Sequence, residues 1–227
     1  MMMRFFKLSL VATAGLSMAA NAAPEHQRLR GIVSAVSASE LTVHTATGDV
    51  AMSLGSDTKY LTVGHSDLDH ITADSYIGAA TKDVGGKQVA LDVLIFPPAM
   101  KGAAEGHFGW DSLPDTTQDG KPHTASSMTN GSVAAVKRGS AATNSSMTNG
   151  SVTTASQRGG ARQLTVTYKG GEQMILVPPT APVVTLQFGT VSDIKPGDGV
   201  FVNAVSDEGK TAAGLIIVGT DGAVPPI

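Results

Sequence analysis

The residues best able to do chemistry are gathered in one stretch, Phe96-Pro97-Pro98-Ala99-Met100-Lys101-Gly102-Ala103-Ala104-Glu105-Gly106-His107-Phe108-Gly109-Trp110-Asp111. It holds the only tryptophan of the chain, two of its six phenylalanines, one histidine and two carboxylates. Glu105, His107 and Asp111 offer the oxygen and nitrogen donors that zinc or a similar cation accepts, with His123 as a further nitrogen. Their spacing matches no metal motif. The same stretch also reads as packing: Gly102, Gly106 and Gly109 let the backbone turn sharply, Phe108 and Trp110 cover apolar surface, and Asp111 caps a turn. Glu105, His107, Phe108, Trp110 and Asp111 are therefore candidates for a binding surface. A second candidate is the loop Gly64-His65-Ser66-Asp67-Leu68-Asp69-His70. His65, Asp67, Asp69 and His70 could hold a divalent ion, or Asp67 or Asp69 could cap a short helical piece in a solvated turn. No other cofactor is implied.

Enzymatic chemistry finds little footing. There is no G-x-S-x-G elbow, no H-E-x-x-H pair and no phosphate-binding P-loop. Zero cysteines exclude disulfides, thiolate metal sites and thiol nucleophiles. The expectation is a protein that is not an enzyme.

The beginning of the chain is basic (Arg4, Lys7), then apolar from Leu8 to Ala20, then Ala20-Asn21-Ala22. These are the parts of a secretory signal peptide over 1–22. The apolar run is shorter than the roughly 20 residues of a membrane helix, and no transmembrane segment is expected after it. The mature chain is then periplasmic or secreted. Losing Arg4 and Lys7 from the 16 Lys and Arg leaves 14 against 19 Asp and Glu, a net charge of −5. A mildly acidic chain lacks the basic footprint of a nucleic-acid binder.

The elements that must position these residues are strands. Runs of Val, Thr, Ile and Leu lie between clusters of Gly, Asp and Ser. In Glu40-Leu41-Thr42-Val43-His44-Thr45 the apolar residues alternate, as in a half-buried strand, and Ala46-Thr47-Gly48-Asp49 reads as a hairpin turn. Adding 123 carries Leu41-Thr42-Val43 onto Leu164-Thr165-Val166, Gly48 onto Gly171, Ile71 onto Ile194 and Gly86-Lys87 onto Gly209-Lys210. Apolar positions follow, with Met52 and Leu54 on Ile175 and Val177. Each copy, about 70 residues, would be marginal alone, so two small barrels packed together are expected. The connector, present once, would be their seam.

A shorter repeat lies inside the second half. Ser126-Ser127-Met128-Thr129-Asn130-Gly131-Ser132-Val133 recurs as Ser145-Ser146-Met147-Thr148-Asn149-Gly150-Ser151-Val152. Gly31 and Val33 match Gly150 and Val152, and the later copy sits closer to the Leu164 strand. It is assigned as the first strand of the second module, and the earlier copy, with 137–144, as an exposed polar loop.

The pattern G-x-V-x-A-V-x-x-x-x-L-T-V, from Gly31 to Val43, resembles the start of a repeat in exported bacterial proteins of unknown function. D-I-K-P-G-D-x-V, from Asp193 to Val200, resembles a later part of it. The connector, the S-M-T-N-G-S-V element and the closing D-G-A-V-P-P-I resemble a two-module subgroup, sometimes called metal-transporter permeases. That name does not suit a chain without a spanning helix after its signal. The resemblance implies small OB-like β-barrel modules and an envelope location, with no established activity. The sequence thus predicts an all-β protein of two pseudo-repeated OB-like barrels: signal peptide 1–22, first module 28–97, connector and polar loop 98–144, second module 145–224. Its expected role is binding or scaffolding of an unknown envelope protein or ligand, with divalent-metal binding as the alternative.

Overall fold

The computed structural model describes residues 24–118, 122–138 and 160–225. The expected signal peptide and the later copy of the eight-residue element lie outside them. Twelve strands form among the described residues: β1 (Glu25–Val36), β2 (Glu40–Thr45), β3 (Gly48–Ser66), β4 (Tyr76–Val84), β5 (Lys87–Ile95), β6 (Gly106–Pro114), β7 (His123–Arg138), β8 (Arg162–Tyr168), β9 (Gly171–Val177), β10 (Val183–Phe188), β11 (Gly199–Asp207) and β12 (Lys210–Gly219). The described residues contain no α-helix, only 3-10 turns at Leu68–His70, Pro98–Met100 and Val191–Asp193. The period of two sets the faces: in β2, Leu41, Val43 and Thr45 are buried while Glu40 and His44 face solvent.

Element starts in the second half follow those of the first at a spacing of 123: β9 at Gly171 after β3 at Gly48, β11 at Gly199 after β4 at Tyr76, and β12 at Lys210 after β5 at Lys87. The pairing does not keep the halves apart. β1 pairs with β2, β2 with β3, β3 with β12, β12 with β11, and β11 returns to β1. A second ring runs β7, β8, β9, β5, β4 and back to β7. In each ring the one parallel contact, β3 with β12 or β5 with β9, joins strands of different halves. Each ring thus takes three strands from one half and the closing hairpin from the other. The expected modules 28–97 and 145–224 cut across both rings.

The cause is the edge. Three strands such as β1, β2 and β3 present two unpaired sides, and a hairpin from either half can satisfy their N–H and C=O groups. The end of β3 also pairs with β10, antiparallel from Val183↔Ser66 to Phe188↔Leu61, and β10 pairs in parallel with β5 of the second ring from Val183↔Val93 to Thr185↔Ile95, which ties the rings together. Three apolar clusters result. One fills the first ring around Leu41, Val43, Val202 and Ile216, and another fills the second around Ile77, Val93, Leu164 and Ile175. The third gathers Leu61, Leu94, Leu186, Phe201 and Ile217 from both.

The eight-residue element corrects the sequence reading. The earlier copy, expected as an exposed loop, is the middle of β7, and Met128, Thr129, Asn130, Gly131 and Val133 are buried. Strands lie on both sides of it, β4 and β8 along the ring and β6 beyond. The true counterpart of Gly31-x-Val33 is therefore Gly131-x-Val133. Both first strands carry a register shift just after the valine, between Val33 and Ala35 and between Val133 and Ala135. The glycines explain the choice: a Cβ on Gly31 would collide with the His44 carbonyl, and one on Gly131 with the Thr167 carbonyl. The expected connector and loop, 98–144, likewise hold two strands, β6 and β7.

Gly131→Val should therefore lower stability by roughly 1–3 kcal/mol or more, the usual cost of overpacking against backbone that cannot yield. Denaturant unfolding at constant m-value checks it. A variant as stable as the parent would mean that Gly131 does not sit against Thr167.

Candidate binding site at the seam

β6 lies outside both rings, and unlike β10, which bridges β3 and β5, it pairs only with β7. Its register breaks between Gly109 and Ser112, so Trp110 and Asp111 lie in a bulge. A bulge re-aims the side chains it contains, and here they turn toward β1 of the other ring. Asp111 forms ion pairs with Arg28 at 2.9 Å and Arg30 at 2.8 Å, with its own side chain 24% exposed. The Arg28 guanidinium lies 4.2 Å from the centre of the Trp110 ring, and that of Arg30 lies 5.1 Å from the centre of Phe201. The Asp111 carboxylate and the Arg28–Trp110 cation–π contact thus tie β6 to β1 across the seam, while the Arg30–Phe201 contact lies within the first ring.

Behind Trp110 lies a cavity of about 220 Å³. Leu61, Leu94, Phe96, Met128, Leu186 and Ile217 line it, so both halves contribute. Two of its lining side chains carry buried polar atoms with no partner: the Trp110 indole N–H and the Asn130 Oδ1. Asn130 Nδ2 donates to the Ala104 carbonyl at 3.0 Å, which fixes the orientation of the amide. Gly78 keeps the space open, because a Cβ there would lie 2.6 Å from Asn130 Oδ1 and 3.0 Å from the Phe96 ring. An unpaired buried polar atom costs roughly 1–3 kcal/mol, so two in one small apolar space suggest an occupant.

The other connector candidates point elsewhere. His107 Nδ1 bonds the Thr129 hydroxyl at 2.8 Å, and its ring lies nearly parallel to Tyr168 with centres 6.4 Å apart. Glu105 accepts from the Lys169 amide at 3.1 Å. Phe108 is 37% exposed and meets Trp110 edge-on. His123 approaches the Ser112 carbonyl. Trp110 and Asp111 form the seam, while Glu105 and His107 serve β7 and the turn after β8.

The histidine loop is occupied by its own structure. Asp67 caps the 3-10 turn, accepting from the amides of Asp69 and His70, and bonds the His70 ring at 2.9 Å. Asp69 pairs with Arg162. His65 lies apart, on the wall of a second cleft. Among the described residues, no three or more His, Asp or Glu side chains come together as a metal site would require.

Sequence reading did not single out Asn130, the two arginines, or the buried ionisable groups Asp92 and Asp115. Asp92, in β5, has its Oδ1 unpaired and lines a second cleft of about 490 Å³ with Arg30, His65 and Thr116. Burial pushes its carboxyl up to about 8, although the Ala80 amide and the Arg30 charge act the other way. A signal existed: Asp92 interrupts the apolar run Ala90 to Ile95, and the residue 123 positions on is Leu215. Asp115 is buried at the end of β6 beside Lys82, with Nζ to carboxylate 2.6 Å. Burial raises its pKa too, but bonds from Lys82 and Thr117 prevail and hold it at about 2.

Comparison with protein-family models, with curated proteins and with solved structures returned no match.

The two aspartates tilt stability in opposite pH ranges. A folded pKa raised to about 8 means that the native state holds Asp92's proton where the unfolded chain has lost it. Its contribution therefore falls as pH rises from about 4 through 8. Asp92→Asn should flatten that fall in thermal melts, and an unchanged slope would refute the assignment. Asp115, with its lowered pKa, contributes above about 4 and loses that contribution as pH drops through 2. Lys82→Ala leaves it buried without its cation and should cost roughly 3 kcal/mol or more, read at pH 7 by denaturant unfolding.

Proposed function

We propose that this chain is an exported, non-enzymatic binding protein of the cell envelope, built from two OB-like modules that arose by duplication and acting through the seam around β6. The observation that carries the reading is the cavity behind Trp110, whose walls come from both halves and whose two unpaired polar atoms belong to Trp110 and Asn130. An indole N–H and a carboxamide oxygen recognise hydrogen-bonding groups but neither attack nor titrate, which suits binding rather than catalysis. The exposed Phe108 beside Trp110 extends the apolar surface outward.

Several features support the OB-like and duplicated parts of the reading. Each ring has five strands, as an OB module has, with one parallel contact. Element starts recur at 123 residues, and both first strands bulge after Gly-x-Val. Export rests on the basic start, the apolar run and Ala20-Asn21-Ala22. The acidic mature charge leaves nucleic acid an unsuitable partner.

The reading is tested in living cells with a photo-crosslinking residue at position 108, and a control at Met174, which is exposed on β9 of the second ring. The protein should be recovered from the periplasmic fraction or the medium, with adducts at 108 that Trp110→Ala reduces at least several-fold. Retention in the cytoplasm, or equal adduct yields at 108 and 174, would reject it. Trp110→Ala should also melt lower while keeping its β-type circular dichroism, because Arg28 loses the ring it covers.

A further inference from the structure

The seam cavity has a definite chemistry. Its walls are apolar apart from Trp110, Asn130 and Asn203, and the two unpaired atoms, on Trp110 and Asn130, differ in kind: the Trp110 nitrogen can only donate, and the Asn130 oxygen can only accept. Asn130 is more than nine-tenths buried, and its amide cannot turn over without opposing its oxygen to the Ala104 carbonyl. The donor–acceptor arrangement is therefore fixed.

Size and charge narrow the occupant. A dry cavity of about 150 Å³ accepts benzene, and drug-sized pockets begin near 300 Å³. At about 220 Å³ this cavity has room for one ring with a short substituent, or a short branched chain. No charged side chain lines it. The nearest guanidinium, Arg28, covers the Trp110 ring and is paired with Asp111. An ion entering would lose its hydration without a counter-charge, at a cost that an apolar wall does not return. Water alone would fill the space poorly, because a buried water needs two to four polar partners and most of the wall offers none.

The two halves differ at this place. At the 123-residue spacing the counterpart of Gly78 is Phe201, which also lines the cavity, and that of Leu215 on its wall is Asp92, on the second cleft. At the spacing of 100 set by Gly31 and Gly131, the counterpart of Asn130 is Arg30. The neutral donor–acceptor pair thus exists on one side of the seam only.

We infer that the seam cavity binds a small uncharged molecule with an apolar body and a hydroxyl or carboxamide group, of the size of a substituted phenol. This rests on the seam being a binding surface, as proposed above. The molecule accepts a hydrogen bond from Trp110 Nε1 and donates one to Asn130 Oδ1, while Phe96, Met128 and Leu186 hold its apolar part.

The sole tryptophan serves as reporter. Titration of the mature protein with p-cresol, toluene, benzoate and benzylamine, followed by Trp fluorescence and calorimetry, reads the specificity directly. p-Cresol should bind about ten-fold tighter than toluene, and the two ions weaker than either by at least ten-fold. Asn130→Leu should abolish the preference for p-cresol over toluene. Gly78→Leu, which places a side chain in the space, should remove p-cresol binding; as this variant can also disturb the fold, its circular dichroism and melting are recorded. The smaller Gly78→Ala, whose Cβ would meet Asn130 Oδ1 and the Phe96 ring, should also weaken binding, with its melting recorded alongside. No binding of p-cresol at millimolar concentration, benzoate or benzylamine tighter than p-cresol, or affinity indifferent to both Asn130→Leu and Gly78→Ala would overturn the inference. Adducts at position 108 that persist in cells after such a failure would show that the seam binds something else, so the two readings fail separately.

Discussion

The structure depends on how strand edges are closed. The first three strands of either half form a strip with two unpaired sides, and leaving those donors and acceptors bare invites association with another chain. Each strip is closed by the last hairpin of the other half: β11 and β12 close on β1 and β3, and β4 and β5 close on β7 and β9. Neither ring is complete without strands from both halves of the chain. The two rings are therefore joined by backbone ladders as well as by side-chain packing.

A seam follows from that exchange. Crossing from ring to ring brings β3 and β10 alongside each other and leaves apolar residues of both halves facing one another in a third cluster. One strand, β6, has no counterpart in this scheme. Because it owes no pairing to either ring beyond β7, its bulge can turn Trp110 and Asp111 toward Arg28 and Arg30. The opposing sides of the seam then differ in chemistry: Asp92 with Arg30 on one, Leu215 with Asn130 on the other.

Much of the strand content was legible in the sequence, and for a local reason. Alternation in Leu41-Thr42-Val43-His44 and turns at Gly48 and Gly171 depend on neighbours a few residues apart. Which hairpin closes which ring depends on contacts between residues 46 (Thr81↔Ser127) to 181 (Glu25↔Ser206) positions apart, and a hairpin fits its own half and the other equally well by pattern. The eight-residue element shows the same limit. Its two copies are identical, so no periodicity distinguishes Gly131 from Gly150, and proximity to Leu164 was the wrong criterion. What selects Gly131 is a strand of sixteen residues with partners on both sides, visible only in three dimensions.

The site was legible in part, and the division has a physical basis. Trp110 and Asp111 stood out because a lone tryptophan among glycines is rare in composition. Asn130 did not, because an asparagine before glycine is ordinarily a turn signal; in β7 its backbone is extended and its side chain is buried. A local preference overridden in this way carries information. An exposed turn would have let that amide bond water, whereas the strand buries an oxygen that finds no partner beside an indole nitrogen in the same condition. Two such atoms on side chains that line one cavity, beside Gly78, whose place 123 residues on is taken by Phe201, are costly features if the cavity is only a packing fault. A fault would be relieved by an aliphatic side chain at Asn130, which would remove the unpaired oxygen. That the chain carries asparagine there instead is the strongest argument that the space behind Trp110 is kept for an occupant.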